Sequence, residues 1–295
     1  MLLLPVLVVL ASIVFLGLAS LADLRTGEVP DGLSYGYTVV MILLAAYGSY
    51  TFNDTSLVTD SLIMGACFFI AGFLMFYLGQ WGGGDVKVLA GIGCALGSLN
   101  HIGYLPQAAL SFYPYYLSYL TNLIFIAFPY AAIYGLVIGF NNPDTRKEFG
   151  AYVGKARTKA ILIASLSPSL LAFLVNLQKL ASFYLLLPVM LTVALYLKAV
   201  EKTALRQSKD VKDLREGDVA AEDLACGNET IASKRDIEGM SPDAIKKIQE
   251  LSAKGELPGR IVIKRGIKFT LVLFLAFLTS VYLGNLVEII TGLLI

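Results

Sequence analysis

One histidine, His101, stands in 295 residues, and the three cysteines, Cys67, Cys94 and Cys226, lie far apart with no CxxC pair among them. Those absences argue against a protein-bound zinc or iron–sulfur site and lead us to expect no metal and no cofactor. They also leave little for a Ser–His or Cys–His nucleophile system to be built from. Charge is scarce as well: 15% of residues are Asp, Glu, Lys or Arg, against about 25% in a soluble domain. The 23 basic and 22 acidic side chains nearly cancel to a net charge of +1, so no global field points to nucleic acid or to an anionic substrate. Internal repeats and low-complexity tracts are missing too.

What fills the chain instead is apolar surface, with 57% hydrophobic residues and a mean hydropathy of +0.71. The solvent to reason with is therefore a bilayer. Stretches of the roughly 20 apolar residues that a span needs fall near 2–22, 33–52, 61–79, 84–100, 119–140, 159–177, 181–199 and 268–292. The first has no basic n-region and exceeds a signal-peptide core, so it reads as a span. The fourth is short and Gly-rich, and Gly103 to Ser118 reads as an interfacial helix or loop.

Basic residues in the connections set the orientation, because Lys and Arg are retained on the cytoplasmic side. Alternate loops separate cleanly. One set holds Arg25, Lys87, the cluster Arg146, Lys147, Lys155, Arg157 and Lys159, and the segment from Lys198; the other holds only Lys179 together with Asp54 and Asp60. That parity predicts eight spans with both termini outside, and it places Asp23 and Asp85 on the cytoplasmic side.

Residues 200–264 break the apolar pattern. Asp218 to Leu224 and Arg260 to Lys264 read as strands, and Ser241-Pro242 followed by Asp243 to Ala253 reads as a helix with a Ser cap and Pro at its first position. The expected architecture is an all-α polytopic membrane protein of about eight transmembrane helices with a small α+β cytoplasmic domain before the last helix. Its parts are a membrane core over 1–199 carrying an aspartate pair, the domain over 200–264, and a final helix over 265–295.

Two motifs carry possible chemistry. Gln80-Trp81-Gly82-Gly83-Gly84-Asp85-Val86-Lys87 puts consecutive glycines before an acid at the mouth of a span. Each Gly costs about 1 kcal/mol in a helix, so the run suits close backbone approach or a flexible presentation of Asp85. The bland reading is a capping carboxylate favoured by the helix dipole. Asp23-Leu24-Arg25-Thr26-Gly27-Glu28-Val29-Pro30-Asp31 ends the first span. An ionisable group at the edge of a span is costly and defaults to a functional hypothesis; the bland reading pairs Asp23 with Arg25 or Lys87. Two carboxylates brought together could hydrolyse a peptide, one deprotonating water while the other, protonated, polarises the carbonyl.

Gly82-Gly83-Gly84-Asp85 resembles the GxGD motif of membrane aspartyl proteases. Asp23 with Arg25, Val29, Pro30 and Asp31 looks like the first-aspartate motif of type IV prepilin peptidases, and Val86-Lys87 fits the same family. The small domain containing Leu214-Arg215-Glu216-Gly217-Asp218, ahead of a span that follows Gly266-Ile267-Lys268-Phe269, is similar to the archaeal prepilin and preflagellin peptidases. The resemblance implies a catalytic pair Asp23 and Asp85, supported by Gly82, Gly84, Lys87 and Arg25. It also implies prepilin-like or pre-archaellin precursors as partners in the bilayer, whose short basic leader is cut at the cytoplasmic surface. Bacterial members also methylate the new N-terminus and often carry two CxxC pairs; without them, peptidase activity without methyl transfer is expected.

Two other readings use the same carboxylates. An intramembrane protease of the presenilin or signal-peptide-peptidase kind shares GxGD, but its first aspartate follows Tyr deep in a span, whereas Asp23 follows Ala22 at a span end. An ion-coupled transporter could use both acids, but transporters commonly show repeats. Bland readings suffice for His101, for Cys67 and Cys94 as packing residues, for Glu288 near water, for Tyr113 to Tyr119 as an aromatic belt and for the basic cluster from Arg146 to Lys159.

Overall fold

The computed structural model describes residues 3–106, 114–140, 142–226, 229–233, 236, 239–264 and 266–294. The first helices are α1 (Leu3–Thr26), α2 (Asp31–Phe52), α3 (Ser56–Tyr77), α4 (Gly83–His101) and α5 (Tyr115–Phe140). After them come α6 (Pro143–Gly154), α7 (Ala156–Ala164), α8 (Ser167–Leu174), α9 (Gln178–Tyr184) and α10 (Leu186–Lys202). Strands β1 (Arg206–Asp210), β2 (Val219–Ala220), β3 (Leu224–Cys226) and β4 (Glu229–Ala232) follow, then α11 (Pro242–Ala253) and β5 (Arg260–Lys264). Helices α12 (Thr270–Tyr282) and α13 (Leu286–Leu294) complete the order. Two compact units result, essentially residues 1–128 with 268–293 and residues 129–267.

Among the described residues, α1, α2, α3, α5 and the α7–α8 stretch Ala156–Leu174 are long and apolar enough to cross a bilayer. That is five candidates where the sequence led us to expect about eight. The difference has local causes. Pro188 has no amide hydrogen and crowds the carbonyl four residues earlier, and the expected span 181–199 indeed breaks just before it, at Leu185; the break before Pro168, at Ser165-Leu166, leaves Ala156–Leu174 among the five. The last expected span breaks at Gly284, whose φ of +80° suits glycine. There Asn122 of α5 serves the interrupted backbone, donating to the Gly284 carbonyl at 2.7 Å and accepting from Leu286 N–H at 2.9 Å.

Helix α4 falls short for a different reason. Its glycines add little hydropathy, and it packs against α1, α2, α3 and α12, with every residue from Val88 to Leu99 buried. Protein rather than lipid surrounds it, so its sequence need not be lipid-like. Small residues let α3 come close: a Cβ on Gly97 would stand 2.7 Å from the Asp60 carbonyl oxygen. At the far end of α4, His101 lies between two acids, with Nδ1 2.8 Å from Asp60 Oδ2 and Nε2 3.0 Å from Asp54 Oδ2. Of the packing cysteines, Cys94 is buried while Cys67 is exposed. Residues 107–113, within the expected interfacial stretch and aromatic belt, lie outside the described residues; Tyr115 to Ser118 form the first turn of α5.

In the second unit, four residues of the basic cluster expected in a loop are helical, Arg146 and Lys147 in α6 and Arg157 and Lys159 in α7, with Lys155 at the bend between them. Asn142 caps α6 by accepting from Asp144 and Thr145 N–H, and Lys202 of α10 pairs with Glu148 of α6 at 2.5 Å. The polar segment builds an antiparallel sheet ordered β1-β5-β2, with β3 paired to β4. Strand β5 spans Arg260–Lys264 as expected, but the run from Asp218 to Leu224 is a strand only at its two ends, β2 and β3, with a bend between. Helix α11 starts at Pro242, with Ser241 Oγ accepting from Ala244 N–H at 3.2 Å. Val211, Leu214, Ala220, Met240, Ile245, Ile248, Ile261 and Ile263 form a core for this module.

Candidate active site

Asp23 lies in the last turn of α1. The helix ends at Gly27, whose φ of +80° closes a left-handed cap with its N–H on the Asp23 carbonyl at 2.8 Å. Only 6% of Asp23 is exposed, so its carboxylate needs protein donors. The short loop to Pro30 then turns the chain into α2 and lays Val29 against the start of α4: a Cβ on Gly84 would meet Val29 Cβ at 3.2 Å. Gly84 thus has a steric reason to be glycine. Gly82 and Gly83 do not, since φ at Gly82 is −80° and a Cβ at Gly83 would meet nothing within 4 Å.

Asp85 is the third residue of α4, where an acid can reach back to the N-cap amide. Its Oδ2 does so, accepting from Gly82 N–H at 3.3 Å. The capping reading is therefore correct as geometry, and it occupies one oxygen. The other oxygen points elsewhere: Oδ1 accepts from the Thr270 hydroxyl at 3.0 Å. Thr270 N–H in turn donates to Asp23 Oδ2 at 3.1 Å. One residue at the start of α12 therefore joins the two acids, and the carboxylate oxygens it holds lie no more than about 10 Å apart.

The residues before Thr270 close the same corner. Lys268 Nζ donates to the Leu24 carbonyl of α1, and the Phe269 ring packs on Trp81 of the glycine loop at 5.3 Å. Thr270 is not singled out by the sequence, and Phe269 enters it only as the end of the run Gly266-Ile267-Lys268-Phe269, because a hydroxyl and a ring at the head of an apolar run look like any helix start.

The other expected residues are placed differently from the pair. Lys87 forms an ion pair with Asp31 at 2.5 Å and lies over the Tyr35 ring at 4.8 Å, so it ties α4 to α2 and is not Asp23's partner. Arg25 is exposed and forms no salt bridge among the described residues. Among the described residues, no group of three or more His, Cys, Asp or Glu side chains is arranged to hold a metal ion. What the site offers chemically is two carboxylates, a hydroxyl and backbone N–H groups at the ends of buried helices.

Comparison with known proteins agrees with the resemblance read from the motifs. Residues 10–140 match the Type IV leader peptidase family, a stretch that holds Asp23, Gly82, Gly84 and Asp85. The chain is 29% identical over 144 residues to the Preflagellin peptidase of Methanococcus maripaludis, covering 45% of this chain and 60% of that protein. It is 29% identical over 138 residues to the Preflagellin peptidase of Methanocaldococcus jannaschii, covering 44% and 58%. Thus the chain spans about three fifths of those two relatives. The Prepilin peptidase EppA of Methanothermobacter thermautotrophicus is 21% identical, with 92% of this chain and 93% of that protein covered. No solved structure matches the chain.

Proposed function

We propose, from the premise that residues 10–140 carry a type IV leader peptidase region, that this chain is a membrane aspartyl endopeptidase. Its substrates are prepilin-like or pre-archaellin precursors, and it removes their short leader. The observation that carries the proposal is the meeting of Asp23 and Asp85 on Thr270, which brings two acids from separate helices to one corner of a helical unit.

In this scheme the two acids share a proton, and the apparent titrations belong to the pair. The ionised member takes a proton from water as its oxygen attacks the scissile carbonyl carbon. The protonated member donates to the carbonyl oxygen, giving a neutral tetrahedral intermediate. Collapse breaks the C–N bond; the proton gained from water passes to the leaving amine, and the hydroxyl proton of the intermediate returns to the pair. Water and one peptide bond become a carboxyl group and an amine, and the dyad ends as it began. Methyl transfer is not part of this scheme.

Loop charge supports a cytoplasmic site, with N- and C-termini outside and the polar domain 200–264 cytoplasmic. A leader rich in basic residues ahead of an apolar helix would then meet the dyad at the membrane surface. The position of Asp23 at the end of α1 favours this reading over a presenilin-like protease, whose first aspartate lies deep in a span. The test is leader removal from a co-expressed precursor by Asp23→Asn and Asp85→Asn variants. Each should lower cleavage at least ~100-fold, the scale of general acid–base catalysis; normal processing by either overturns the proposal.

A further inference from the structure

We infer that Thr270 is a positioning residue of the dyad: its hydroxyl holds Asp85, and its backbone amide holds Asp23, in the arrangement that cleavage requires. The inference rests on the aspartyl peptidase reading and adds a residue from outside both aspartate motifs and outside the matched stretch 10–140.

Three observations carry it. Thr270 is fully buried, so its hydroxyl cannot turn to bulk water and is committed to a partner inside the protein. That partner is Asp85 Oδ1 at 3.0 Å, while the amide of the same residue donates to Asp23 Oδ2 at 3.1 Å. As the first residue of α12, Thr270 has an amide with no partner within its own helix, and the helix dipole favours a carboxylate there.

The tripeptide Lys268-Phe269-Thr270 also contacts every part of the corner in turn. Lys268 reaches the end of α1 through the Leu24 carbonyl, Phe269 packs on Trp81 of the glycine loop, and Thr270 takes both acids. Three anchors on three successive residues leave the hydroxyl little freedom, as the groups behind a catalytic pair must if they are to fix it. Without the hydroxyl, Asp85 keeps only its N-cap contact with Gly82 and can turn away from Asp23.

The experiment compares full-length Thr270→Val, Thr270→Ser and Thr270→Ala proteins with the parent, using cleavage of a purified precursor in detergent micelles. Asp23→Asn and Asp85→Asn serve as controls. Val keeps the shape but removes the hydroxyl; Ser keeps the hydroxyl. A hydrogen bond to a charged group predicts that Val and Ala lose roughly 10- to 100-fold in kcat, with KM within about twofold. Ser should stay within about threefold of the parent. Parent-like kcat in the Val or Ala variant overturns the inference, and so does a Ser variant as impaired as Val, since packing alone would then account for the site. Should Val fail to fold, the Ala and Ser pair decides in the same terms. If Thr270→Val is impaired while both Asn controls cleave normally, the aspartyl reading itself has failed and the inference falls with it; if both controls are inactive and Thr270→Val is normal, only the inference fails.

Discussion

Trp81 and Phe269 pack ring against ring, with centroids 5.3 Å apart and planes inclined by 33°. The contact joins the loop that leads into Asp85 to the turn that leads into Thr270. An aromatic pair contributes about 0.5–1.5 kcal/mol beyond its buried area.

Because Trp81 is the chain's single tryptophan, its emission reports on this corner alone. Adding a peptide made of a basic leader and the start of an apolar helix to Asp85→Asn protein should change the emission in a saturable way. The same titration of protein carrying Phe269→Leu should start from a shifted spectrum. Emission that stays flat while binding is detected by another method would place the substrate away from Trp81.

The glycines of the loop separate by substitution. Gly83→Ala meets open space and should leave both thermal stability and cleavage unchanged. Gly84→Val drives a branched side chain into Val29, already 3.2 Å from the position of a Cβ, and overpacking of this kind costs about 1–3 kcal/mol. It should lower the melting temperature and weaken leader cleavage. Equal behaviour of the two variants in both assays would show that the loop does not pack on Val29.

The ion pair between Lys87 and Asp31 is predicted to be structural and weak. Both side chains reach solvent, and exposed pairs are worth about 0–1 kcal/mol. A double-mutant cycle with Lys87→Met and Asp31→Asn, followed by denaturation in micelles, should give a coupling energy within that range, with cleavage reduced only modestly. A loss of cleavage on the scale of the aspartate variants would mean that Lys87 touches the substrate.

How legible the site was in the sequence depended on what each residue does to an apolar background. Asp23 and Asp85 stand out because a charge at the edge of a hydrophobic run needs a reason, and Ser241-Pro242 announces α11 because the cap and the fixed φ belong together. The break before Pro188 was available by the same logic, but twenty apolar residues in a row outweigh one proline when only hydropathy is counted. Thr270 leaves no such mark: its importance comes from what two distant helices bring to it, 247 and 185 residues away in sequence. The internal position of α4 is also a tertiary fact, hinted at by its glycines and decided by the helices around it.

His101 gives a prediction about pH at the opposite end of α4. Both ring nitrogens face carboxylates, Asp60 and Asp54, and a carboxylate accepts hydrogen bonds, so the ring must be doubly protonated to satisfy both. The hydrogen bonds that His101 donates to Asp60 and then to Asp54 raise it above its ordinary 6.5. Asp54 is lowered from 3.8 to about 2, first by the Ser56 hydroxyl and then by His101. The signs follow from linkage. A raised histidine stabilises the fold fully below its unfolded value near 6.5 and loses that contribution as pH rises through the folded value. A lowered aspartate contributes above its unfolded value and loses it as pH falls from 3.8 toward about 2. The clamp should therefore be strongest between roughly pH 4 and 6.5. Melting temperatures measured in micelles across pH 4 to 9 should fall more steeply on the alkaline side for the parent than for His101→Asn, whose curve should run lower in acid and approach the parent above the raised value. Parallel curves across the whole range would show that His101 stays neutral and that the two carboxylates do not hold it charged.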